Sequence, residues 1–454
     1  MNFSVIILAA GEGKRMRSAL PKVLQPLSGR ALLAHVLDAA GSLKPQAIHV
    51  VYGHGGDSVR AQFADWPLQW AEQAEQLGTG HAVQQALPNI PEDHAVLVLC
   101  GDVPLVQADL LRRLLAAGDG QQLALLTAHL DDPQGYGRIL RDADGAMTDI
   151  VEERDATDAQ RQVQEINTGL MVCPAGLLSE LLGQVQTNNS QGEFYLTDIV
   201  ALAVQGGHAV ASVQAPQADE VLGINDKRQL AAAETLFRVR VADELFDAGV
   251  TLADPARIDV RGRLTCGRDV FIDVNAVFFG DVELADGVQI GPNCVIRDTY
   301  IGAGTRIHPN CVIEEAHMGT GCEVGPYARL RPGVELAERA KLGNFVELKK
   351  SRVGKGSKVN HLSYVGDTLI GDAVNVGAGT ITCNYDGAYK HQTVIGDGAF
   401  IGSGVQLVAP VEIGAGATIG AGSTISKAAP PQQLTLARSK QFSVPDWQRP
   451  VKKK

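Results

Sequence analysis

The residues best suited to chemistry fall in two groups far apart in the chain. Near the start, Ala9-Ala10-Gly11-Glu12-Gly13-Lys14-Arg15-Met16 leads into Leu20-Pro21-Lys22. Its two glycines let backbone N–H groups approach an anion, while Arg15 and Lys22 add fixed positive charge. The third glycine of a dinucleotide fingerprint and the Lys-Ser/Thr pair of a P-loop are both missing, so this is a phosphate loop of another kind. Farther on, Gly101-Asp102-Val103-Pro104 closes an apolar run. A carboxylate at that place suits Mg²⁺ held against phosphate oxygens, and it equally suits a helix N-cap. The second group is Arg331, Lys349, His361, Tyr364 and Asn375, more polar than the pattern around them requires. The short intervals from Lys349 to Asn375 allow them to meet around one cleft. His361 stands out because a neutral imidazole accepts protons at physiological pH, although a lone His in a strand is more often packed or solvated.

The elements that must hold the first group are short β-rich runs at 5–8, 48–51, 96–100 and 123–127. They alternate with amphipathic segments at 32–40 and 110–116. This alternation predicts an α/β fold, a Rossmann-like parallel sheet with helices on both faces and ligands beyond the carboxyl ends of its strands. The second group sits in a different pattern. From 290 to 425 an aliphatic residue returns about every six positions, usually followed by a small one, as in Ile301-Gly302, Val324-Gly325, Leu342-Gly343, Val353-Gly354, Val376-Gly377, Ile401-Gly402 and Ile419-Gly420. Six is neither a helical period nor simple alternation. It fits a coil of short strands with the aliphatic residue inward, three sides and about eighteen residues per coil, stacked at roughly 4.8 Å. A β-sandwich with very regular turns is the plain alternative. Hexads begin irregularly at Asp259 and end near Ile425, where Pro430-Pro431 releases a tail; residues 382–393 interrupt them and must project as a loop. Leu230, Ala233, Phe237, Val241 and Leu245 share one face of a helix at about 227–246, the joint between the halves. The expected organisation is therefore 1–227, a helical linker at 228–248, and 249–454.

Length and composition agree with this division. A chain of 454 residues exceeds one ordinary core. Its net charge of −11 disfavours a general nucleic-acid binder, and its one basic run, Lys452 to Lys454, reads as a frayed terminus. No apolar run approaches the ~20 residues of a membrane span. The apolar start at 5–10 lacks the basic lead and cleavage site of a signal peptide, so a cytoplasmic protein is expected. Cys100, Cys173, Cys266, Cys294, Cys311, Cys322 and Cys383 show no metal-ligand spacing and read as buried thiols.

The phosphate loop with Arg15 and Pro21-Lys22 resembles the signature of sugar-phosphate pyrophosphorylases. So do Gln73 with Leu77-Gly78-Thr79-Gly80-His81-Ala82, and Gly101-Asp102-Val103-Pro104. The hexads resemble the left-handed parallel β-helix of hexapeptide-repeat acyltransferases. Adding Gly135-Tyr136-Gly137-Arg138, Ile150-Val151-Glu152, Glu165-Ile166-Asn167-Thr168-Gly169, Glu193-Phe194-Tyr195-Leu196-Thr197-Asp198 and Gly223-Ile224-Asn225, nearly the whole chain resembles one family. It is that of the bacterial bifunctional N-acetylglucosamine-1-phosphate uridyltransferases and glucosamine-1-phosphate acetyltransferases. The resemblance implies UDP-N-acetylglucosamine synthesis for cell-envelope precursors from glucosamine-1-phosphate, acetyl-CoA and UTP, with Mg²⁺, in a homotrimer without membrane insertion. It places Leu8, Ala9, Ala10, Gly11, Lys22, Gln73, Gly78, Thr79, Cys100, Gly101 and Asp102 on the uridine nucleotide, and Gly137, Glu152 and Asn167 on the sugar. Asp102 and Asn225 are implied for the metal, and Arg15 and Lys22 for the departing pyrophosphate. Cys100 stands where relatives often have Tyr, which a backbone contact tolerates. In the second half His361 is implied as general base, with Arg331, Lys349, Tyr364 and Asn375 on the sugar phosphate. Ala378, Asn384, Tyr385, Ser403, Ala421 and Arg438 are implied for acetyl-CoA. Two rivals remain. One is a nucleotidyltransferase whose β-helix serves only assembly or regulation; the other is a metal-dependent hydratase, for which His308, His317, His361 and His391 lack a matching spacing.

Overall fold

The computed structural model describes residues 1–53 and 55–452; Lys453 and Lys454 of the basic run lie outside the described residues. The chain divides into two compact units, Met1–Phe237 and Arg238–Lys454.

The first unit is a sheet covered on both faces. Its strands are β1 (Phe3–Leu8), β2 (Ile48–Tyr52), β3 (Gln69–Glu72), β4 (Ala95–Cys100), β5 (Leu123–His129), β6 (Arg138–Arg141), β7 (Met147–Val151), β8 (Glu165–Pro174) and β9 (Val210–Gln214), in the order β9-β5-β8-β4-β1-β2-β3 with β6 and β7 attached at β8. Alternate residues serve opposite faces, the period of two that a pleated strand imposes. Val5, Ile7, Leu97 and Leu99 pack with helices Leu32–Gly41 and Ala108–Gly118, while Ile6, Val96 and Val98 pack with helices Thr79–Ala86 and Asp198–Gln205. The sheet is mixed, not parallel as the alternation predicted. β8 runs antiparallel to β4 and β5 because the antiparallel β6-β7 hairpin precedes it and reverses the chain.

The second unit is a parallel β-helix of the coils that the hexads predicted, consistent with the left hand that the resemblance implied. One face shows its construction: Ile290 lies opposite Ile307, then Val324, Leu342, Val359, Val376, Ile401 and Ile419, each on the next coil. All these side chains point inward and are buried. Successive partners are seventeen or eighteen residues apart; only the step from Val376 to Ile401 is longer, and it absorbs the insertion. Coiling starts earlier and ends later than the hexads suggested. Thr251–Leu252 already pairs with Phe271–Ile272, and beyond Pro430-Pro431 the strand Leu434–Thr435 pairs with Thr418–Ile419. Parallel backbone bonds need only extended backbone, so pairing outlasts the aliphatic-glycine signal. Of the seven cysteines, Cys173, Cys294, Cys311 and Cys322 are buried, whereas Cys100, Cys266 and Cys383 are only half-buried.

The helix Lys227–Asp247 carries the expected stripe in two parts. Leu230, Ala233 and Phe237 pack with Met16, Leu27, Leu32 and Leu105 of the first unit. Leu245 and Val241 join the core of the second.

Close stacking explains why a small residue follows each inward aliphatic one. A Cβ added at Gly343 would lie 1.9 Å from the carbonyl oxygen of Asn360 on the next coil. Gly343→Ala must therefore push two coils apart, and it is expected to destabilise the β-helix by about 2 kcal/mol or more. Circular dichroism in urea checks this; an unchanged midpoint would show that the coils are looser than described.

Candidate active sites

In the first unit a cavity of about 290 Å³ opens at the carboxyl ends of β1 and β4. Leu8, Ala9, Ala10, Gly11, Lys22, Gln73, Gly78, Thr79, Cys100 and Asp102 line it, together with Ala82 and Glu193, quoted above in motifs without a role, and Val23 and Gln76, which sequence reasoning had not singled out. Backbone bonds fix the rim: Ala9 N–H donates to Val51 O at 2.8 Å and Gly101 N–H to Leu8 O at 2.9 Å. Gln73, 3 % exposed, donates from Nε2 to Gly78 O at 3.0 Å. Gly78 itself has φ of 115°, and a Cβ there would sit 2.5 Å from Phe194 O. Only glycine lets the segment run so close to the neighbouring backbone.

Lys22 is the electrostatic centre. Its Nζ donates to Asp102 Oδ2 at 2.5 Å and to Asn225 Oδ1 at 3.1 Å. Asp102 is no N-cap: the following helix starts at Ala108, and the Asp102 carbonyl instead accepts Ile224 N–H at 2.9 Å. That bond brings the Gly223-Ile224-Asn225 segment to the strand end. A carboxylate oxygen and an amide oxygen thus converge on one cationic centre, a donor pair of the hard type Mg²⁺ takes alongside water. Burial beside Asp102 pushes the Cys100 thiol up to about 12, so it carries no thiolate chemistry. Arg15 is exposed on the loop and does not line the cavity; Met16, buried beside Leu27 and Leu32, anchors that loop.

Gly137, Glu152 and Asn167 do come together. Asn167 N–H donates to Gly137 O at 2.9 Å, and a Cβ on Gly137 would lie 3.4 Å from Glu152 Oε1. Thr197, quoted above in a motif without a role, donates its hydroxyl to Glu152 Oε1 at 3.1 Å. Desolvation raises the Glu152 carboxyl above its ordinary range, partly opposed by this bond. Glu152 also borders a second cavity, of about 430 Å³, with Asp149, Asp155 and Asp198. Burial and these neighbouring carboxylates push Asp198 up to about 6.

In the second unit His361 is exposed, and its Nδ1 lies 2.7 Å from Asn344 Oδ1 on the preceding coil. An amide oxygen accepts, so the proton sits on Nδ1 and the lone pair of Nε2 is left free. Successive backbone bonds line up the residues that follow on later coils. Gly379 N–H donates to His361 O, Gly404 N–H to Ala378 O and Gly422 N–H to Ser403 O, and Arg438 Nη1 donates to Ala421 O. His361, Ala378, Ser403, Ala421 and Arg438 therefore form one column up the β-helix, small side chains between an imidazole and a guanidinium.

Beside that column, Arg331, Lys349 and Gly366 occupy equivalent positions on three coils. A Cβ at Gly366 would lie 2.5 Å from Tyr364 Oη and 2.6 Å from Asn384 Nδ2, so the phenol and the amide meet over bare backbone. Asn384 is buried and donates to Asp367 Oδ2 at 2.5 Å, while Tyr385 is 60 % exposed. The insertion brings one residue that the motifs missed, Lys390. The positive charge of Lys390, reinforced by that of Arg331, pulls the Lys349 pKa below its ordinary value. Cations held together in this way mark a place for an anion. Asn375 sits one coil on from His361, opposite Lys358.

Comparison with known proteins matches both halves of the chain. Residues 5–166 match the MobA-like NTP transferase domain, and residues 281–315 and 392–427 match the bacterial transferase hexapeptide repeats. The chain is 58% identical over 450 residues to the bifunctional protein GlmU of Azoarcus sp. (strain BH72), covering 99% of this chain and 100% of that one. It is 57% identical over 447 residues to the GlmU of Alkalilimnicola ehrlichii, 98% and 96% of the two chains. For the GlmU of Ralstonia pickettii the identity is 54% over 451 residues, 99% of each. With a nucleotidyltransferase cavity and a hexapeptide-repeat column in one chain, and identity at this level from end to end, the chain belongs to the family of bifunctional GlmU proteins.

Proposed function

We propose that the protein makes UDP-N-acetylglucosamine in two steps. The second unit acetylates glucosamine-1-phosphate with acetyl-CoA, and the first joins the product to uridylate from UTP. The column from His361 to Arg438 carries this reading, because a β-helix used only for assembly or regulation has no need of a free imidazole leading onto a wall of small residues.

In acetyl transfer the substrate amine attacks the thioester carbonyl; the C–N bond forms, the C–S bond breaks and coenzyme A leaves as thiol. His361 Nε2 takes the amine proton, with Asn344 holding the tautomer. Arg331, Lys349 and Lys390 receive the sugar phosphate, with Tyr364 and Asn375 beside them. The pantetheine arm lies along Ala378, Ser403 and Ala421 between the Asn384-Tyr385 loop and Arg438. In uridyl transfer the phosphate of N-acetylglucosamine-1-phosphate attacks the α-phosphorus of UTP and pyrophosphate leaves. The Gly11 loop, Gln73, Gly78 and Thr79 hold the nucleotide, and Gly137, Glu152 and Asn167 hold the sugar. Lys22, released from Asp102, and Arg15 neutralise the departing charge. Asp102 and Asn225 are the residues that would hold Mg²⁺, which when bound adds positive charge at the phosphates.

The functional halves are assigned to 1–227 and 249–454 with a helical linker at 228–248, and the expected compartment is the cytoplasm. Among the described residues no helix is long and apolar enough to cross a membrane. Tyr327, Phe345 and Leu362 form an exposed apolar ladder next to His361, each at a positive φ that bulky residues avoid. This supports a homotrimer in which a neighbouring chain covers the ladder. Dilution that dissociates the assembly is expected to silence acetyl transfer before uridyl transfer. Parallel activity and light-scattering titrations check this, and an acetylating monomer would contradict it.

With thiol release and pyrophosphate release followed separately, Asp102→Ala is expected to lower uridyl transfer by about 10²- to 10³-fold and spare acetyl transfer. His361→Ala is expected to do the reverse, by about 10²- to 10⁴-fold. Equal loss of both activities in either variant would overturn the assignment of two sites. Lys390→Ala is expected to raise KM for glucosamine-1-phosphate about ten-fold, the effect of one charge-assisted bond, with little change for acetyl-CoA. An unchanged KM would remove Lys390 from the phosphate site.

A further inference from the structure

Arg138 is one of the most deeply buried large side chains in the protein, 2 % exposed, yet no part of the chemistry above uses it. Its guanidinium reaches three backbone or side-chain acceptors from two directions. Nη1 donates to the carbonyl of Tyr136; Nη2 donates to Glu153 Oε2 at 2.7 Å and to Arg161 O at 3.4 Å. The same Glu153 Oε2 accepts Gly135 N–H at 3.2 Å. Both sides of the Gly135-Tyr136-Gly137 turn are thus tied to one ion pair. The two Nη groups find acceptors while Nε is buried without one among the described residues, and a lysine ammonium cannot reproduce the two-nitrogen geometry.

The position of the pair matters more than its strength. Arg138 directly follows Gly137, and Glu153 directly follows Glu152. Arg138 lies opposite Val151 in the β6-β7 register, so the pair joins the start of β6 to the end of β7. The third sugar-side residue, Asn167, hangs on the same turn through its N–H to Gly137 O. Arg138 and Arg141 contrast in this respect. Arg141, at the far end of β6, pairs with Glu165 on the strand surface and touches none of the three.

We propose that the Arg138–Glu153 pair is a positioning clamp that sets Gly137, Glu152 and Asn167 at the spacing needed to bind N-acetylglucosamine-1-phosphate, without itself touching the substrate. The proposal rests on the sugar-side assignment of those three residues. The Arg138 guanidinium and the Gly135 N–H hold the Glu153 carboxyl below its ordinary range in spite of its desolvation, consistent with a charged pair.

The test measures KM for each substrate of uridyl transfer in the full chain carrying Arg138→Lys, Glu153→Gln or Glu152→Gln, with acetyl transfer recorded as a readout of intact chain. Both clamp variants are expected to raise KM for N-acetylglucosamine-1-phosphate about ten-fold or more while KM for UTP stays within about two-fold, as small misplacements of binding groups do. Glu153→Gln keeps the shape of the side chain and serves if Arg138→Lys does not fold. If both clamp variants leave the sugar KM unchanged, or raise both KM values together, the pair holds the sheet and not the sugar, and the proposal is overturned. If Glu152→Gln leaves the sugar KM unchanged, it is the sugar-side assignment that fails.

Discussion

The constraint on which the second half of the molecule depends is that each coil must lend its backbone N–H groups to the carbonyls of the next. Once Leu342 is opposite Val359 and Val359 opposite Val376, every other residue on those coils has its neighbours decided. Residues seventeen or eighteen apart become adjacent whatever their chemistry. The column from Asn344 through His361 to Arg438 is a consequence of this ladder, and a site is made by choosing what stands at one repeating position. The ladder leaves no room for a side chain at the tightest corners, which is also why the wall offered to a flat ligand is made of Ala, Ser and Gly.

The first unit solves a different problem. Its sheet supplies strand ends, and the cavity is built by loops that converge there from 8–11, 73–79, 100–102 and 223–225. Their meeting point is the Lys22 ammonium between Asp102 and Asn225. The three groups form a cluster that ties these segments together. In the proposed reading, a phosphate that takes over Lys22 would free two oxygens suited to a divalent cation.

Much of this was legible in sequence, for reasons that differ between the halves. Hexads announce a coil because the inward residue repeats, and the strand-loop motifs of the first half carry their own glycines and charges. What was hidden depends on partners distant in sequence. β8 was met only through its motif Glu165 to Gly169, which does not show a strand's direction, and the β6-β7 hairpin before it decides. The strand Leu434–Thr435 lacks the aliphatic-glycine pair, so the solenoid was read as ending too soon. Lys390 sits in an interruption of the repeat, where no period predicts a neighbour; the hairpin bridge between Tyr385 and Lys390, with Asp386 accepting Ala388 and Tyr389 N–H, is what turns it back toward the coils. Arg138 stood in a motif that could be quoted without a role, because its burial and its fork of acceptors exist only in the folded sheet.

The central claim is that one chain carries two chemically distinct sites used in sequence. The most direct measurement is an omission and bypass experiment read by mass spectrometry of the nucleotide products. Given glucosamine-1-phosphate, UTP and Mg²⁺, the protein is predicted to make no UDP-N-acetylglucosamine until acetyl-CoA is added. N-acetylglucosamine-1-phosphate should bypass that requirement completely. Formation of UDP-N-acetylglucosamine from the bypass substrate alone, with none from glucosamine-1-phosphate even when acetyl-CoA is present, would contradict the account and leave only the nucleotidyltransferase.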